Sequence, residues 1–178
     1  MKRLSSCLNP MGSEHELIYQ VDTADQIIGP CRRGDAHRLG LFHRSVHILV
    51  FNPQGELFLQ KRATTKDVNP GLWDTSAAGH VDYGESYEES ARRELQEELG
   101  IEVSEPLTPL FKLEASADTG FEFIQVYQLT HDGELRPEPK EIIEGRWCGL
   151  TELQTWIAHG GDGLTPSFQI LWEKFCGI

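Results

Sequence analysis

Three glutamates in the middle of the chain have the spacing of a metal site. Glu94, Glu97 and Glu98 stand at i, i+3 and i+4, so on a helix their side chains fall within an arc of roughly 100°. Like charges at these spacings repel one another, and a bare helix gains nothing by gathering them. A hard divalent cation gives a reason, because Mg²⁺ takes oxygen ligands and usually keeps waters and substrate phosphates in its shell. The pattern therefore predicts a Mg²⁺ site that handles phosphates.

A helix from Ser86 to Leu99 is expected to carry these carboxylates. Ser86 is a good N-cap residue, and Glu89 three residues later completes the pattern of a capping box. Gly100 is a natural stop after the last turn. Leu95 and Leu99 occupy the neighbouring arc and are expected to face the core. A solvated, Glu-rich face is the usual interpretation of such a charge run. The choice between that interpretation and a metal site therefore depends on residues outside the helix.

The surrounding residues complete a longer pattern. It resembles the Nudix box, Gly-x5-Glu-x7-Arg-Glu-U-x-Glu-Glu-x-Gly-U, in which U is a bulky aliphatic residue. Every defined position of the box is filled, by Gly79, Glu85, Arg93, Glu94, Leu95, Glu97, Glu98, Gly100 and Ile101. The resemblance implies the Nudix fold and metal-dependent hydrolysis of an organic diphosphate, with Mg²⁺ as the ion and Mn²⁺ as an alternative.

The resemblance also assigns roles within the box. Glu94, Glu97 and Glu98 are implied as metal ligands, and the carbonyl of Gly79 completes the shell. By its position Arg93 can reach Glu97 or Glu89 one turn away on the helix, or Glu85 in the preceding loop. It would hold that carboxylate in place without binding the metal.

Size and composition are those of one domain. The chain has 178 residues, of which 39% are hydrophobic and 25% charged, which is ordinary for a globular protein. The net charge of −12 argues against nucleic acid or an anionic membrane surface as the main partner. Neither a secretory signal nor a membrane-spanning apolar run is expected, and the protein is predicted to be cytoplasmic. Scattered cysteines are expected to be reduced thiols, namely Cys7, Cys31, Cys148 and Cys176.

The order of predicted elements indicates an α+β fold. Residues 1–14 are expected to be a flexible N-terminus, and residues 15–178 one domain with its core at 43–153. Strands are predicted at 15–21, 27–28, 43–52, 56–62, 110–115, 121–130 and 145–149, and helices at 86–99, at 151–159 with Thr151 as its cap, and from Pro166 onward. Residues 31–43 are predicted to be a loop, either solvated or lying over the active site. A mixed sheet covered on both sides follows, and the resemblance implies the same α/β/α sandwich.

A second resemblance concerns Leu57–Ser76. This stretch is similar to that of type 1 isopentenyl diphosphate isomerases and of the Nudix hydrolases grouped with them. In that subgroup an Arg and a Lys four residues apart contact the substrate diphosphate, and here those positions are Arg62 and Lys66. The pair makes physical sense, because Arg forks onto two phosphate oxygens and Lys adds a mobile point charge. Surface solubility is the alternative role of both side chains.

One position separates this chain from the isomerases. They carry a catalytic Cys just before the box glycine, where this sequence has Ala78, and they lack most of the box glutamates. Isomerisation needs a proton donor and an acceptor on opposite faces of an alkene, and the missing Cys removes one of them. Hydrolysis is therefore the preferred function. An isomerase and a non-catalytic diphosphate-binding module are the alternatives.

Further side chains match metal-binding positions of the isomerases. His43 and His80 match two of them, His37 lies near a third, and Glu122 matches a glutamate ligand. Together they would form a second metal site, although a single His on a strand is more often a hydrogen-bonded polar residue. Glu122 is also a candidate for orienting the attacking water.

The residue that activates water is left open by the sequence. Glu94 or Glu97 is the first choice, followed by Glu122 or Glu144. Glu141 and Glu144 precede Trp147 in a late loop, and many Nudix enzymes take their base from such a loop. The predicted catalytic set is listed in full as Glu94, Glu97, Arg93, Glu122 and Glu144.

The expected partner is a small-molecule diphosphate. Nucleoside di- and triphosphates, isoprenoid diphosphates and nucleotide sugars all satisfy the pattern. Neither nucleic acid nor a membrane is an expected partner. A homodimer is one alternative for the assembly, and the number of metals stays open.

Overall fold

The computed structural model describes residues 13–177. Residues 1–12, which include Cys7 and most of the predicted flexible N-terminus, lie outside the described residues, as does residue 178. A short 3-10 turn, Ser13–His15, precedes the first strand. The helices are α1 (Arg33–Leu39), α2 (Tyr87–Leu99), α3 (Leu150–Ala158) and α4 (Pro166–Cys176). The strands are β1 (Leu17–Val21), β2 (Ile27–Arg32), β3 (His43–Phe51), β4 (Leu57–Arg62), β5 (Trp73–Asp74), β6 (Ala77–His80), β7 (Thr108–Leu113), β8 (Glu122–Thr130) and β9 (Ile142–Cys148).

Within residues 13–177 the strands form one mixed sheet around β3. Strand β8 runs parallel to β3 along its whole length, from His43 opposite Glu122 to Phe51 opposite Thr130. Strand β6 pairs antiparallel with the first half of β3. Strands β3 and β4 share a single register pair, Phe51 opposite Leu57, and β4 pairs with β5 and β9. The sheet is therefore joined at one end of β3 and β4 and open at the other.

The sheet is buried on both faces, which confirms the predicted α/β/α layering. Side chains of β3 at alternate positions enter two different apolar clusters, because successive residues of a strand point to opposite faces. Val46 and Ile48 pack with Leu95 and Leu99 of α2. Leu49 and its neighbours pack with α3 and α4, represented by Leu153, Phe168, Leu171 and Trp172.

The helix that carries the box glutamates forms as its local sequence predicts. The Ser86 side chain accepts a hydrogen bond from the Glu89 amide, and the Glu89 side chain accepts one from the Ser86 amide. Gly100 takes the left-handed conformation, with φ of 69°, and its amide closes the last turn. Leu95 and Leu99 are fully buried. Capping and an apolar stripe thus fix α2 and the arc on which its carboxylates lie.

The prediction of a loop at residues 31–43 is wrong in its middle. Arg33 to Leu39 form α1, and Gly40 ends it with φ of 63°. The helix has no side-chain N-cap and a mixed sequence, so its local signals are weak. Tertiary packing stabilises the helix instead, since Ala36 is fully buried and Arg33 is 7% exposed.

Other boundaries differ from prediction as well. Strand β9 begins at Ile142 and not at 145, so Glu144 lies in a strand and not in the predicted loop. Strand β2 does not stop at Gly29-Pro30 but continues to Arg32, with Pro30 opposite Tyr19; it is the outer strand of the described sheet, where the missing amide of Pro is tolerated. Thr151 is not a cap, because α3 begins after Gly149 and has no side-chain cap. The segment that leads into the box forms the short strands β5 and β6, and β6 includes the box glycine Gly79.

A partly buried ionic cluster ties the N-terminal hairpin to the rest of the domain. Asp25, in the turn between β1 and β2, accepts hydrogen bonds from Arg44 Nε at 2.6 Å, from Tyr87 Oη at 3.1 Å and from Lys112. Burial alone would raise the pKa of Asp25, but the bonds from Lys112 and Arg44 outweigh it and hold the pKa below its usual value. The hairpin is thereby fixed against α2 and β7.

Across residues 13–177, none of the helices combines the length and the apolar character that a membrane crossing would need.

Candidate functional site

A cavity of about 1110 Å³ lies where the sheet opens, beside α2. Its walls come from α1, α2, the strands β3 to β6 and β8, and two loops, 63–72 and 131–141. Glu14 and Glu16 before β1, Asp82 after β6 and Ser167 of α4 complete them. It contains most of the predicted site residues, namely Gly79, Glu94, Glu97, Glu98, Arg93, Arg62, Lys66, Glu122, His37 and His80. The described lining does not include Glu144.

Two of the three box glutamates are buried at the base of this cavity. Glu94 is 9% exposed and Glu98 is 4% exposed, whereas the side chain of Glu97 is 61% exposed. Burial raises the pKa of Glu94 above its usual value, and the charge of Glu98 raises it further. Burial likewise raises the pKa of Glu98. Carboxylates crowded in this way are stable as anions only beside a cation, so this pair fits a divalent metal.

Gly79 leaves the space that Glu94 occupies. A Cβ atom at this position would lie 2.0 Å from Glu94 Oε1 and 2.2 Å from Glu94 Cδ. No such contact is possible between real atoms, so any other residue at position 79 would displace the carboxylate. The box glycine is therefore required for a steric reason, beside the role implied for its carbonyl.

Arg93 lies among carboxylates of the box and its preceding loop. Its Nη1 donates to Glu94 Oε1 at 2.6 Å and to Glu97 Oε2 at 3.3 Å. Its Nε donates to Glu85 at 3.1 Å, and its Nη2 donates to the His80 carbonyl at the same distance. Arg93 thus orients Glu94 and links α2 to β6, a connection that the sequence suggested for Glu85 and Glu97 but not for Glu94.

Glu98 is held by two donors that sequence reasoning did not identify. Gln60 Nε2 donates to Glu98 Oε2 at 2.9 Å, and the Ala78 amide donates to the same oxygen at 3.0 Å. Gln60 is 1% exposed and belongs to β4. A buried Gln in a strand otherwise rich in apolar residues is the signal that could have found it.

The two predicted diphosphate ligands border the cavity but already have partners. Arg62 donates from Nε to the Val68 carbonyl at 3.2 Å, and its Nη1 lies 3.5 Å from Asp74 Oδ2. Lys66 forms an ion pair with Glu141. Burial lowers the pKa of Lys66, and the charge of Glu98 opposes that change. A phosphate would therefore compete with Glu141 for Lys66.

The two late-loop glutamates are placed differently. Glu141 lines the cavity, and its carbonyl also accepts the Ala63 amide at 2.8 Å. Glu144 lies on β9 opposite Lys61, is 55% exposed and pairs with that lysine at 3.4 Å. A register irregularity between Lys61 and Arg62 separates the two positions. Of the pair, only Glu141 is brought to the site.

A second group of potential metal ligands meets at the same cavity, which three of its four members line. One nitrogen from each of His37, His43 and His80, and one oxygen of Glu122, lie within 4.8 Å of one another. They come from α1, β3, β6 and β8. Strand register explains the meeting, because His43 is opposite Glu122 and Ser45 is opposite His80.

Hydrogen bonding fixes the tautomer of His43. Its Nδ1 lies 2.7 Å from the Leu41 carbonyl, and since a carbonyl only accepts, Nδ1 carries the proton. In the neutral ring Nε2 then has a free lone pair. Nε2 is buried without a hydrogen-bond partner among the described residues and lies 3.6 Å from Glu122 Oε1. A cation between these two atoms would satisfy both of them, and histidine nitrogen with carboxylate oxygen is a donor set that Zn²⁺ and similar metals take.

His80 connects this group to α1. Arg33 Nε donates to its Nδ1 at 3.3 Å, and its Nε2 lies 3.0 Å from His37 Nε2. Burial lowers the pKa of His80 to about 4, against the opposing effect of Glu122. Burial alone would raise the pKa of Glu122, but His43 and His80 hold it well below its usual value. The group thus contains neutral imidazole beside an ionised carboxylate.

Arg33 and Asp67 are two further site residues that the sequence did not indicate. Arg33 Nη2 donates to Asp67 Oδ1 at 2.8 Å, and His37 Nδ1 lies 3.7 Å from Asp67 Oδ2. Burial alone would raise the pKa of Asp67, but Arg33 lowers it to about 2. These contacts join α1 to the loop that carries Lys66, so the segment 31–43 does border the active site.

The chain resembles known proteins over most of its length. A family model described as NUDIX domain matches residues 41–168. An isopentenyl-diphosphate Delta-isomerase of Burkholderia multivorans is 33% identical over 162 residues, which is 89% of this chain and 92% of that protein. An uncharacterized Nudix hydrolase of Pseudomonas aeruginosa is 38% identical over 135 residues, covering 76% of this chain and 79% of the relative.

A solved structure has the same fold. The crystal structure of DR0079 from Deinococcus radiodurans matches with a TM-score of 0.78 and 29% sequence identity, over 89% of this chain and 98% of that one. The family model covers all the box residues. Together with the complete box, these matches show that the protein belongs to the Nudix family and is a Nudix pyrophosphohydrolase.

Proposed function

We propose that this protein hydrolyses the diphosphate linkage of a small organic diphosphate with the help of a divalent metal. The observation that carries the proposal is the buried pair Glu94 and Glu98, which faces a cavity bordered by Arg62 and Lys66. Two buried carboxylates that share one arginine partner, Arg93 on Glu94, favour a further cation between them. The cationic side chains of Arg62 and Lys66 at the cavity wall suit a phosphate.

Mg²⁺ at the box would offset charge on the leaving phosphate and bring the diphosphate next to the attacking water. Glu94 and Glu98 are the residues that would hold it. Arg93 keeps Glu94 in position, and Gln60 with the Ala78 amide keeps Glu98 in position. Glu97 is the third carboxylate within reach of this ion.

Arg62 and Lys66 bind the phosphates. Lys66 must leave Glu141 to do so, and the substrate's negative charge supplies the replacement. Glu141 then loses its ion-pair partner beside the cavity, where a free carboxylate accepts a proton more readily.

Glu97 is the best-placed carboxylate to accept the proton of the attacking water. It lines the cavity, and its side chain is mostly exposed, so water reaches it. Glu141 is the alternative once Lys66 has moved. Glu122 is ionised but fully occupied by histidines, and Glu144 lies outside the described lining.

A second metal is proposed at His37, His43, His80 and Glu122. The unpartnered Nε2 of His43 favours it. For His80 to bind through Nε2, its Nδ1 would have to carry the proton, and Arg33 Nε could no longer donate to it. Metal binding here and the Arg33–His80 hydrogen bond therefore exclude each other.

Isomerisation of isopentenyl diphosphate is the second candidate. The histidine–glutamate group and the similarity to the isomerase of Burkholderia multivorans favour it. The residue that borders the cavity just before Gly79 is Ala78, whose methyl group cannot transfer a proton. Incubation with isopentenyl diphosphate distinguishes the two, because an isomerase yields dimethylallyl diphosphate and no free phosphate.

The test is a phosphate-release screen over organic diphosphates with Mg²⁺, with Mn²⁺ and with EDTA. Glu98→Gln is expected to lower turnover by more than about 100-fold, since even outer-shell partners of a metal contribute 10–100-fold. Glu173→Gln is the matched control, because Glu173 is an exposed residue of α4 outside the cavity lining.

Release that EDTA abolishes in the wild type and that Glu98→Gln lacks would support the proposal, provided that circular dichroism shows the variant folded. Unchanged turnover of Glu98→Gln in Mg²⁺ would refute the metal assignment. Tight binding of a diphosphate without release in any metal would favour a non-catalytic binding module.

A further inference from the structure

The cavity wall is polar almost throughout. Among the described residues that line it there is no Phe, Tyr or Trp, and the apolar side chains are those of Val68 and Ala78. Eleven carboxylates and five Lys or Arg side chains line the same space. The composition is unlike that of most small-molecule sites, which are lined mainly by hydrophobic and aromatic groups.

The described lining offers a nucleobase few aromatic faces for stacking. Proteins that bind a nucleobase without hydrogen bonds to its edges rely on stacking against aromatic side chains. Here the only aromatic rings in the described lining are histidines. His37 and His80 have side chains 19% and 15% exposed, and that of His47 is 6% exposed. The rings of His37 and His80 also pack on each other, with centroids 5.0 Å apart. Their faces are therefore mostly covered.

The cavity offers an isoprenoid chain almost no apolar surface to pack against. Val68, at the rim, and the single methyl group of Ala78 are too small to bury even a five-carbon tail. The tail would instead cover carboxylates and remove water from them without giving a hydrogen bond in return, which is unfavourable. The wall thus disfavours an apolar organic group.

Acidic side chains and one buried hydroxyl of the wall are available to a ligand. Glu14 and Glu16 are exposed and form no ion pair with any residue in the range 13–177, and Glu138 accepts a hydrogen bond from the Lys140 amide at 3.2 Å but has no ion-pair partner there. Ser45 Oγ borders the cavity, is buried with its residue 2% exposed, and has no hydrogen-bond partner among the described residues. Ionised carboxylates only accept hydrogen bonds, while a hydroxyl both donates and accepts. A ligand rich in hydroxyl groups satisfies both.

We infer that the natural substrate is a diphosphate whose organic group is a small polyhydroxylated unit, sugar-like in its chemistry, with neither a recognised nucleobase nor a prenyl chain. The inference rests on the proposed diphosphate function and names its substrate class. Vicinal hydroxyls donate to Glu16 and its neighbours, and Ser45 pairs with an oxygen of the ligand. The excess of carboxylates also limits the anionic part to the two phosphates that metal, Arg62 and Lys66 neutralise.

The test compares three ligands that share a diphosphate. Ribose 5-diphosphate and ADP differ only in the adenine base, and isopentenyl diphosphate replaces the sugar by a hydrocarbon. The full chain is titrated with each by calorimetry in Ca²⁺, and kcat/KM is measured for each in Mg²⁺. Ribose 5-diphosphate is expected to bind at least as tightly as ADP and at least about tenfold more tightly than isopentenyl diphosphate.

Two variants locate the interaction. Glu16→Gln and Ser45→Ala are each expected to weaken ribose 5-diphosphate about fivefold or more and to leave the binding of Ca²⁺ alone unchanged. Glu173→Gln on α4 is the control and is expected to match the wild type. Weakened Ca²⁺ binding with unchanged sugar binding would assign both groups to a cation and overturn the inference.

The outcomes separate this inference from the proposed function. Hydrolysis of ADP or isopentenyl diphosphate with higher kcat/KM than ribose 5-diphosphate would overturn the sugar-like class and leave the hydrolase standing. Tightest binding of ribose 5-diphosphate without hydrolysis of any compound would overturn the hydrolase and support the ligand class. Failure of ribose 5-diphosphate to bind would overturn the inference.

Discussion

Replacement of Gly79 by Ala tests whether the box glycine acts by making room for Glu94. The new Cβ would lie 2.0 Å from Glu94 Oε1, and an ordinary contact begins at 3.4 Å, so the carboxylate has to retreat by about 1.4 Å. A metal–ligand distance is held to about ±0.2 Å. The displaced oxygen would therefore no longer be a ligand, and kcat is expected to fall by about 100-fold or more.

Stability should change much less than activity. The φ of Gly79 lies outside the left-handed region, so Ala adds no backbone strain there, and the clashing atoms are the far end of a flexible side chain. We expect a loss of about 1 kcal/mol in the free energy of unfolding, the low end of the range for overpacking. Urea unfolding measures it. Gly29→Ala is the matched control, since a Cβ at Gly29 meets nothing within 4 Å.

A double variant shows whether the effect passes through Glu94. If Gly79→Ala acts only by displacing that carboxylate, adding it to Glu94→Ala should change kcat by less than about threefold, because effects on one shared contact are not additive. A Gly79→Ala enzyme with wild-type kcat, or a double variant whose losses multiply, would refute the steric explanation. Phosphate release at saturating Mg²⁺ is the assay for all three proteins.

Three further predictions follow from individual hydrogen bonds and ion pairs. Gln60→Leu removes a donor to Glu98, and we expect phosphate release to fall about 10–100-fold with a raised Mg²⁺ requirement; an unchanged Mg²⁺ titration would contradict the positioning role. Asp25→Asn removes a charge from a cluster with two cationic partners and is expected to lower the free energy of unfolding by about 1.5–3 kcal/mol at pH 7. Because the folded pKa of Asp25 lies below its unfolded value, its contribution to the free energy of unfolding is complete above about pH 4 and is lost as pH falls through the folded pKa. Urea unfolding should therefore show a smaller difference between variant and wild type at pH 3 than at pH 7. An equal difference at the two pH values would contradict the ionic explanation. Ser86→Ala removes the N-cap acceptor for the Glu89 amide and is expected to cost about 1 kcal/mol without loss of turnover, which thermal unfolding and the phosphate assay check together.

The sequence by itself determined the helix of the box. Its capping box, its stop at Gly100 and its apolar arc are all local, since each depends on residues within a few positions of one another. The same spacing placed Glu94 and Glu98 on one arc. Composition and the order of elements were enough to predict a mixed sheet covered on both faces.

The burial of that arc was decided by the tertiary structure. Glu94 and Glu98 are enclosed while Glu97 is exposed, because α2 lies against β6 and β4 at one edge of the arc only. Helix α1 was also missed, since its stability comes from packing of Ala36 and Arg33 rather than from its own sequence.

Only the register of the strands could bring the remaining groups together. His43, His80 and Glu122 meet because β6 and β8 both pair with β3 at a fixed register, and resemblance alone had suggested them. A one-residue irregularity between β4 and β9 separates Glu141 from Glu144, and no local pattern announces it. A site built from residues a few positions apart can be recognised from their spacing in the sequence. A site assembled from distant strands depends on strand pairings whose free energy is shared by the whole sheet.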